Sequence, residues 1–304
     1  MLELRPVPEE ARTDWVPTLT DRLDELRFRR QYADPQEARD KAQEFVESVH
    51  ETTAMFEVVD GDDTVGHLWW GLSGESASVM DVRLDAPDRM AELLPALLDL
   101  ARTTGRSRIG AGGVPGDPSR MALVELPGFV ARATNMLLRL DGEPGVVGDP
   151  GGLELRAMTG EAFDEFYVNI VRDYADELHA AGMSREQADE QSRTQTAALI
   201  PDGVDSPGQE FFTAWVGDAP VGHLWISTEK PMAFVYDIVV REDQRRKGYG
   251  EAIMNAGALW SRDHGHVALG LNVFAHNPGA RALYEKLGYV VTDDYRTHDV
   301  TDAG

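Results

Sequence analysis

The chain has 304 residues, 42% hydrophobic and 27% charged, which is an ordinary soluble composition with room for two domains. Lys and Arg number 29 against 53 Asp and Glu, a net charge of −24 that repels nucleic acid and anionic lipid, so neither is expected as a partner. The absence of cysteine excludes disulfides, thiolate catalysis and cysteine metal sites, and no metal is expected.

The opening "MLELRPVPEEARTDW" has no apolar core of signal-peptide length, and no apolar run is long enough to span a bilayer; a cytoplasmic location is expected. "LELR" opens at residue 2 and returns at 153. "VGHLW" occurs at 65–69 and again at 221–225, each followed by a strand-like run with an aspartate, "VMDVRL" around Asp81 and "VYDIVV" around Asp237. "LPGFV" at 126–130 matches "KLGYV" at 286–290. Matches in one order at nearly one offset mark two tandem copies of one domain. Residues 141–152, "DGEPGVVGDPGG", read as the linker, so the expected domains are 1–140 and 153–304.

The second copy reads as a mixed α/β domain. Phe163, Phe166, Ile170 and Tyr174 share one face of a helix. "EFFTAWV" and "VGHLWIS" are strands joined by the turn "GDAP", and "AFVYDIVV" is a third. A helix follows, with Ile253, Ala256, Leu259 and Trp260 on its stripe, then the strand "ALGLNVFA". In "NPGARALYEKLGY", Asn277 is an N-cap, Pro278 the first helical residue and Gly288 the stop. Between strand and helix lies "REDQRRKGYG", with Arg245, Arg246 and Lys247 before Gly248 and Gly250. A helix start presents unpaired N–H groups and positive dipole charge, and glycines admit a bulky anion, so this turn has the makings of a phosphate cradle. Its glycine spacing fits neither the Rossmann fingerprint, which needs glycine at Ile253, nor a Walker loop.

Arg245-x-x-Gly248-x-Gly250 after "DIVV", followed by "NPGARALYEKLGY", resembles the GNAT superfamily of acyl-CoA-dependent N-acyltransferases. The resemblance covers residues 153–295 directly and 1–140 through the repeat. It implies two tandem GNAT-like domains, each a mostly antiparallel sheet flanked by helices. It further implies acetyl-CoA as acyl donor. Backbone groups of Ile238, Val239 and Val240 would pair with the pantetheine arm. The cradle of Arg245, Arg246, Lys247, Gly248, Tyr249, Gly250 and Glu251 would hold the diphosphate. Asn277 would contact the cofactor, and Tyr284 would lie near the thioester sulfur as general acid.

Acetyl transfer to an alkyl amine needs a base, because such an amine is mostly protonated at neutral pH. Where many family members carry a glutamate, this chain has Asn272. Asp237 is the first candidate instead, with His223, His276 and a water chain as alternatives. Asp173, Asp176 and Glu177 read as a solvated helix face able to attract a cation. In the first copy Glu92 and Leu94 align with Gly248 and Gly250, Asp117 with Asn277 and Val124 with Tyr284, so that copy is expected to keep the fold without catalysis. The expected partner is a small-molecule amine; the mycothiol synthase family, tandem enzymes that acetylate a cysteinyl amino-sugar, is similar in architecture. A non-catalytic acyl-CoA sensor is the alternative of another class.

Overall fold

The computed structural model describes residues 2–142, 148–180, 182–229 and 232–300; residues 143–147 of the expected linker lie outside them. The chain forms two compact units, Met1–Asn135 with Val291–Gly304, and Met136–Val290. This differs from the division into sequence halves, because the last strand belongs with the first unit.

The first unit contains β1 (Glu3–Pro6), α1 (Val16–Leu26), α2 (Pro35–Val49), β2 (Ala54–Asp60), β3 (Asp63–Ser73), β4 (Ser76–Leu84), α3 (Met90–Thr103), β5 (Arg108–Gly113) and α4 (Pro118–Val124). β6 (Val130–Arg139) begins in this unit and ends in the second. The second continues with β7 (Leu153–Ala157), α5 (Gly160–Ala180), α6 (Arg185–Leu199), β8 (Gln209–Val216), β9 (Ala219–Ser227), β10 (Ala233–Val240), α7 (Tyr249–Asp263), β11 (Ala268–Phe274) and α8 (Pro278–Lys286). β12 (Val290–Asp299) then pairs antiparallel with β5 in the first unit.

Strand order is β1-β2-β3-β4-β5-β12 in the first unit and β6-β11-β10-β9-β8-β7 in the second. β4–β5 and β10–β11 are parallel, while the hairpin neighbours on either side are antiparallel. The expected mixed, mostly antiparallel architecture is therefore present. The repeat extends to backbone register. His67 faces Arg83 and Trp69 faces Asp81, as His223 faces Val239 and Trp225 faces Asp237. A bulge sits at Met80 in one copy and at Tyr236 in the other, the same offset that separates the two aspartates.

Successive strand residues point to opposite faces, and the first unit uses both. Trp70 packs with Leu68, Leu93 and Ile109 on one side, and Trp69 with Leu19, Val46 and Met55 on the other. In the second unit α5 lays Phe163 and Phe166 against Phe211 and Trp225. α6 is absent from the sequence reading. Its buried residues are Ala188, Ser192 and Thr196, a stripe at helical spacing that carries almost no hydrophobic signal.

Candidate active site

β10 and β11 are paired only from Ala233↔Leu269 to Val235↔Leu271. The bulge then turns β10 while its pairing to β9 continues to Val240↔Gly222. Beyond Val235, β10 therefore has a strand partner on one side alone. Arg241 donates its N–H to Val221 O at 2.9 Å, and antiparallel bonding alternates along the strand. Val239 accordingly spends its backbone groups on β9, and Ile238 and Val240 turn theirs to the open edge.

That edge runs into the glycine loop. Arg246 has φ +62° and is the one non-glycine residue with positive φ among the described residues. Such a conformation costs about 1–2 kcal/mol. Gly248, at φ +86°, is the N-cap of α7, and no side chain caps the helix. Ala252 N–H closes on Gly248 O, which leaves the N–H groups of Tyr249, Gly250 and Glu251 without helical partners. The N-caps of α2, α4, α6 and α8 all supply a side-chain oxygen instead. Arg245, Arg246 and Lys247 are exposed, and none is ion-paired among the described residues. Arg245 Nε donates to Val240 O at 3.3 Å, and Lys247 Nζ to Gln244 Oε1 at 2.9 Å. In an acidic chain, cations left unpaired around bare amides suit an anion from solution.

The two glycines differ. Gly248 is held by its positive φ. At Gly250 a Cβ would meet Leu283 Cδ2 at 3.4 Å and Val240 Cγ2 at 3.8 Å, both ordinary contacts. Neither packing nor backbone requires glycine there.

Asn277 lies exposed at the start of α8, where its Oδ1 accepts from Ala280 N–H at 3.1 Å. Tyr284, further along α8, is 6% exposed, and its hydroxyl has no hydrogen-bond partner among the described residues. Burial, then the nearby Asp237 and Glu177, pushes it up to about 12, so the phenol keeps its proton at neutral pH. Behind it the Tyr289 ring lies 5.9 Å away, buried and likewise pushed up.

Asp237 Oδ2 accepts from His223 Nε2 at 2.6 Å, and Phe166 sets its ring edge-on to that imidazole at 5.2 Å. Asn272 is exposed on β11, and His276 is exposed and stacked on Phe274. The acidic face of α5 divides. Asp173 pairs with Arg172 and Asp176 with Arg185, both exposed. Glu177 is partly buried, and burial, then Asp237 and Asp173, raises it to about 7. The sequence signal was present: Glu177 continues the stripe of Phe163, Phe166, Ile170 and Tyr174 at helical spacing.

The first unit fills the corresponding places with its own side chains. β4 and β5 also part, after Val79↔Ala111. Leu84 N–H, the counterpart of Val240 N–H, bonds to Ser119 Oγ at 3.0 Å, and Arg120 reaches Gly112 O at 2.9 Å. Counting from the N-caps Asp117 and Asn277, those two residues are Gly279 and Ala280 in the second unit. Arg22 grips Asp81 with two bonds of 2.7 and 2.8 Å and Asp117 with a third of 2.7 Å. His67 completes the cluster on Asp81 at 2.9 Å. Burial opposes ionisation of Asp81, but His67 and Arg22 override it and hold the carboxyl well below the usual range. A cavity of about 310 Å³ remains, edged by Arg22, Arg83, Asp85 and Asp117. α3 starts after N-cap Arg89, so Glu92 corresponds to Glu251 and Leu94 to Ile253, not to Gly248 and Gly250 as expected. What the first unit lacks is the positive-φ glycine turn: Arg89 stands in its place, bonded to Glu92 and Asp60.

The family model described as Acetyltransferase (GNAT) family matches residues 168–289. The uncharacterized N-acetyltransferase YycN of Bacillus subtilis is 34% identical over 145 residues, covering 46% of this chain and 93% of that protein. The chain belongs to the GNAT acetyltransferase family. Mycothiol acetyltransferase of Corynebacterium glutamicum is 30% identical over 86 residues, which is 28% of this chain and 30% of that enzyme. A solved GCN5-related N-acetyltransferase from Sphaerobacter thermophilus has the same fold, with a TM-score of 0.54 at 15% identity, over 98% of this chain and 96% of that one. The protein is thus a GNAT acetyltransferase with two GNAT folds in tandem. Among the described residues no cluster of metal-ligating side chains occurs, and no helix is long and apolar enough to cross a membrane.

Proposed function

We propose that the second unit transfers an acetyl group from acetyl-CoA to a primary amine of a small molecule, and that the first unit does not catalyse. The observation that carries this reading is the open edge of β10 leading straight to the uncapped start of α7. Ile238 and Val240 offer N–H and C=O groups where a pantetheine arm can add as a strand. The amides of Tyr249, Gly250 and Glu251, with Arg245, Arg246 and Lys247 around them, suit its diphosphate, and Asn277 lies at the neighbouring helix start. Bound acetyl-CoA supplies the acetyl group as a thioester. Val240 N–H is free to polarise the thioester carbonyl, and Tyr284 holds a proton for the departing sulfur. Asp237, bonded to His223, remains a candidate for taking the proton of the amine. In the first unit Ser119 takes up Leu84 N–H, the donor that matches Val240 N–H, and Arg22 pairs with Asp81 and Asp117 beside it.

Because the chain has no cysteine, a thiol reagent reads released coenzyme A without background from the protein. Acetyl-CoA binding measured by calorimetry, with thiol release across a panel of alkyl amines, amino-sugars and amino acids, tests the reading. The likeness to mycothiol acetyltransferase adds a cysteinyl amino-sugar to that panel. One equivalent of acetyl-CoA bound per chain and amine-dependent thiol release are expected. Two equivalents would give the first unit a site as well, and binding lost on changing Arg22 but retained on changing Gly250 would move the site there.

A further inference from the structure

We propose that Glu177 is the proton acceptor of the reaction and that the acceptor substrate is a basic alkyl amine, which enters as an ammonium held between Glu177 and Asp237. This rests on the reading of the second unit as the transferase and deepens it.

The first unit shows what this constellation binds. Trp15 sets its ring edge-on to His67 at 5.3 Å, as Phe166 does to His223 at 5.2 Å. Trp15 and Phe166 are separated by the same offset as the two "LELR" segments, which fixes the correspondence of α1 and α5. Counting along the helices, Arg22 corresponds to Asp173 and Leu26 to Glu177. In the first unit a guanidinium therefore reaches from the helix to Asp81, and its side chain is 19% exposed against 1% for the aspartate. In the second unit Asp237, the counterpart of Asp81, keeps the histidine but meets no Arg or Lys within ion-pair distance among the described residues. The helix offers it carboxylates instead. One copy carries its cation within the chain; the other has the same anion and needs a cation from solution.

Tyr284 is a second, independent pointer. It is more than nine-tenths buried, and its hydroxyl is unpartnered among the described residues. Burial, then Asp237 and Glu177, raises it, so both carboxylates lie within electrostatic reach of the acid expected to serve the sulfur. The other charged or titratable groups around Glu177 are Asp173 and Tyr174 on α5, with Arg172 neutralising Asp173, and His223 on β9 bonded to Asp237. Glu177 itself has no hydrogen-bond or ion-pair partner among the described residues. Raised to about 7, it is ionised often enough to bind an ammonium and basic enough to take its proton.

The proton balance closes. Glu177 takes one proton from the ammonium and later yields it to solvent. The freed nitrogen lone pair forms the N–C bond to the acetyl carbonyl carbon, and the C–S bond breaks with its electron pair on sulfur. Tyr284 protonates that sulfur and recovers a proton from the acylated nitrogen. Amide, thiol and one released proton result. A carboxylate next to the amine would be repelled by Glu177 and Asp237, so α-amino acids and short ω-amino acids are poor acceptors.

The test uses the intact chain with acetyl-CoA and three amines: 1,5-diaminopentane, 5-aminopentanoic acid and aniline, which is already neutral at pH 7. Wild type should prefer the diamine to the amino acid by at least about tenfold in kcat/KM, with an acidic limb near pH 7. Glu177→Gln should lower kcat for the diamine about 10²-fold or more, remove that limb and spare aniline. Glu177→Asp should restore part of the diamine rate. Turnover in wild type with an unchanged limb in Glu177→Gln overturns the base and leaves the transferase reading standing. Equal use of the diamine and the amino acid overturns the substrate class. No thiol release with any of the three amines, while acetyl-CoA binds, overturns both readings.

Discussion

Replacing Arg22 by alanine should destabilise the first unit by about 3–5 kcal/mol, the cost of leaving a buried carboxylate without its cation. The structure sets this magnitude. Arg22 makes three charge-assisted bonds of 2.7–2.8 Å, and its two partners are 1% and 5% exposed. His67 remains on Asp81 but cannot serve Asp117. For a unit of this size the loss corresponds to a melting shift of about 10 °C. The pH dependence carries a sign. The folded carboxyl of Asp81 titrates below its unfolded value, so its stabilisation is present above about pH 4 and is lost as the pH falls toward the folded value. The gap between wild type and Arg22→Ala should therefore be full at pH 7 and shrink in acid. Urea melts at both ends of that range measure it. Arg22→Met/Asp81→Asn should recover part of the loss, since a neutral pair leaves less charge stranded. Methylguanidinium should rescue the single variant; at five times its dissociation constant it would restore about 1 kcal/mol. A cost below 1 kcal/mol, or an equal cost in acid, would refute the claim that this arginine is the cation the site requires.

Tyr284→Phe should reduce kcat about 10²-fold or more while leaving the acetyl-CoA dissociation constant unchanged by calorimetry; unchanged turnover would remove its acid role. Gly250→Ala should gain up to about 1 kcal/mol of stability as a better helix former and lose acetyl-CoA affinity at least tenfold, because any Cβ in the turn hinders close approach of a bulky diphosphate to the bare amides. Equal affinity would show that the cradle lies elsewhere. Glu177→Gln should raise the melting temperature more at pH 8 than at pH 5. The folded carboxyl titrates above its unfolded value, so its ionisation weakens the fold as the pH rises through about 7, and glutamine removes that charge.

The proposed cradle was legible in the sequence because its residues are local. Arg245, Gly248 and Gly250 lie in one turn and one helix start, and a linear motif captures both. Tyr284 followed from a second local motif. Glu177 was assigned to a solvated face because charge alone was weighed, whereas its phase along α5 places it with Phe166 and Tyr174. Arg22 carried no signal, since its meaning depends on Asp81 and Asp117, far along the chain and supplied by two other elements. α6 was invisible for a different reason: Ala188, Ser192 and Thr196 pack by being small, which leaves no hydrophobic period to detect. The expectation that the first copy is inactive rested on Glu92, Leu94, Asp117 and Val124, and Glu92 proves to match Glu251. The proposal that it does not catalyse rests instead on Ser119, Arg120 and Arg22 beside β4 and on Arg89 at the helix start.

The exchange of strands was least legible of all, and it makes a prediction about fragments. β6 follows "LPGFV" and β12 follows "LGYV", so each belongs by sequence to its own copy, and either pattern suits either sheet. Yet β12 pairs with β5 from Asp294↔Gly113 to Asp299↔Arg108, and the end of β6 lies in the second unit. There Leu137 is buried with Met232 and Ala268, and Leu140 N–H donates to Val267 O at 2.9 Å. A fragment of residues 153–304, cut where the repeat suggests, loses β6 from the edge of β11 and carries β12 without its partner. Losing Leu137 alone forfeits about 1.5–3 kcal/mol of burial, and two unpaired strand edges invite association. A fragment of residues 136–290 keeps the end of β6, with Leu137, in the second unit and omits the orphan strand. The shorter cut should therefore aggregate on size exclusion and melt broadly, and the second should give a cooperative urea transition and bind acetyl-CoA. If residues 153–304 unfold cooperatively as a monomer with acetyl-CoA bound, the copies are autonomous along the sequence and the exchange adds nothing to the stability of the second unit.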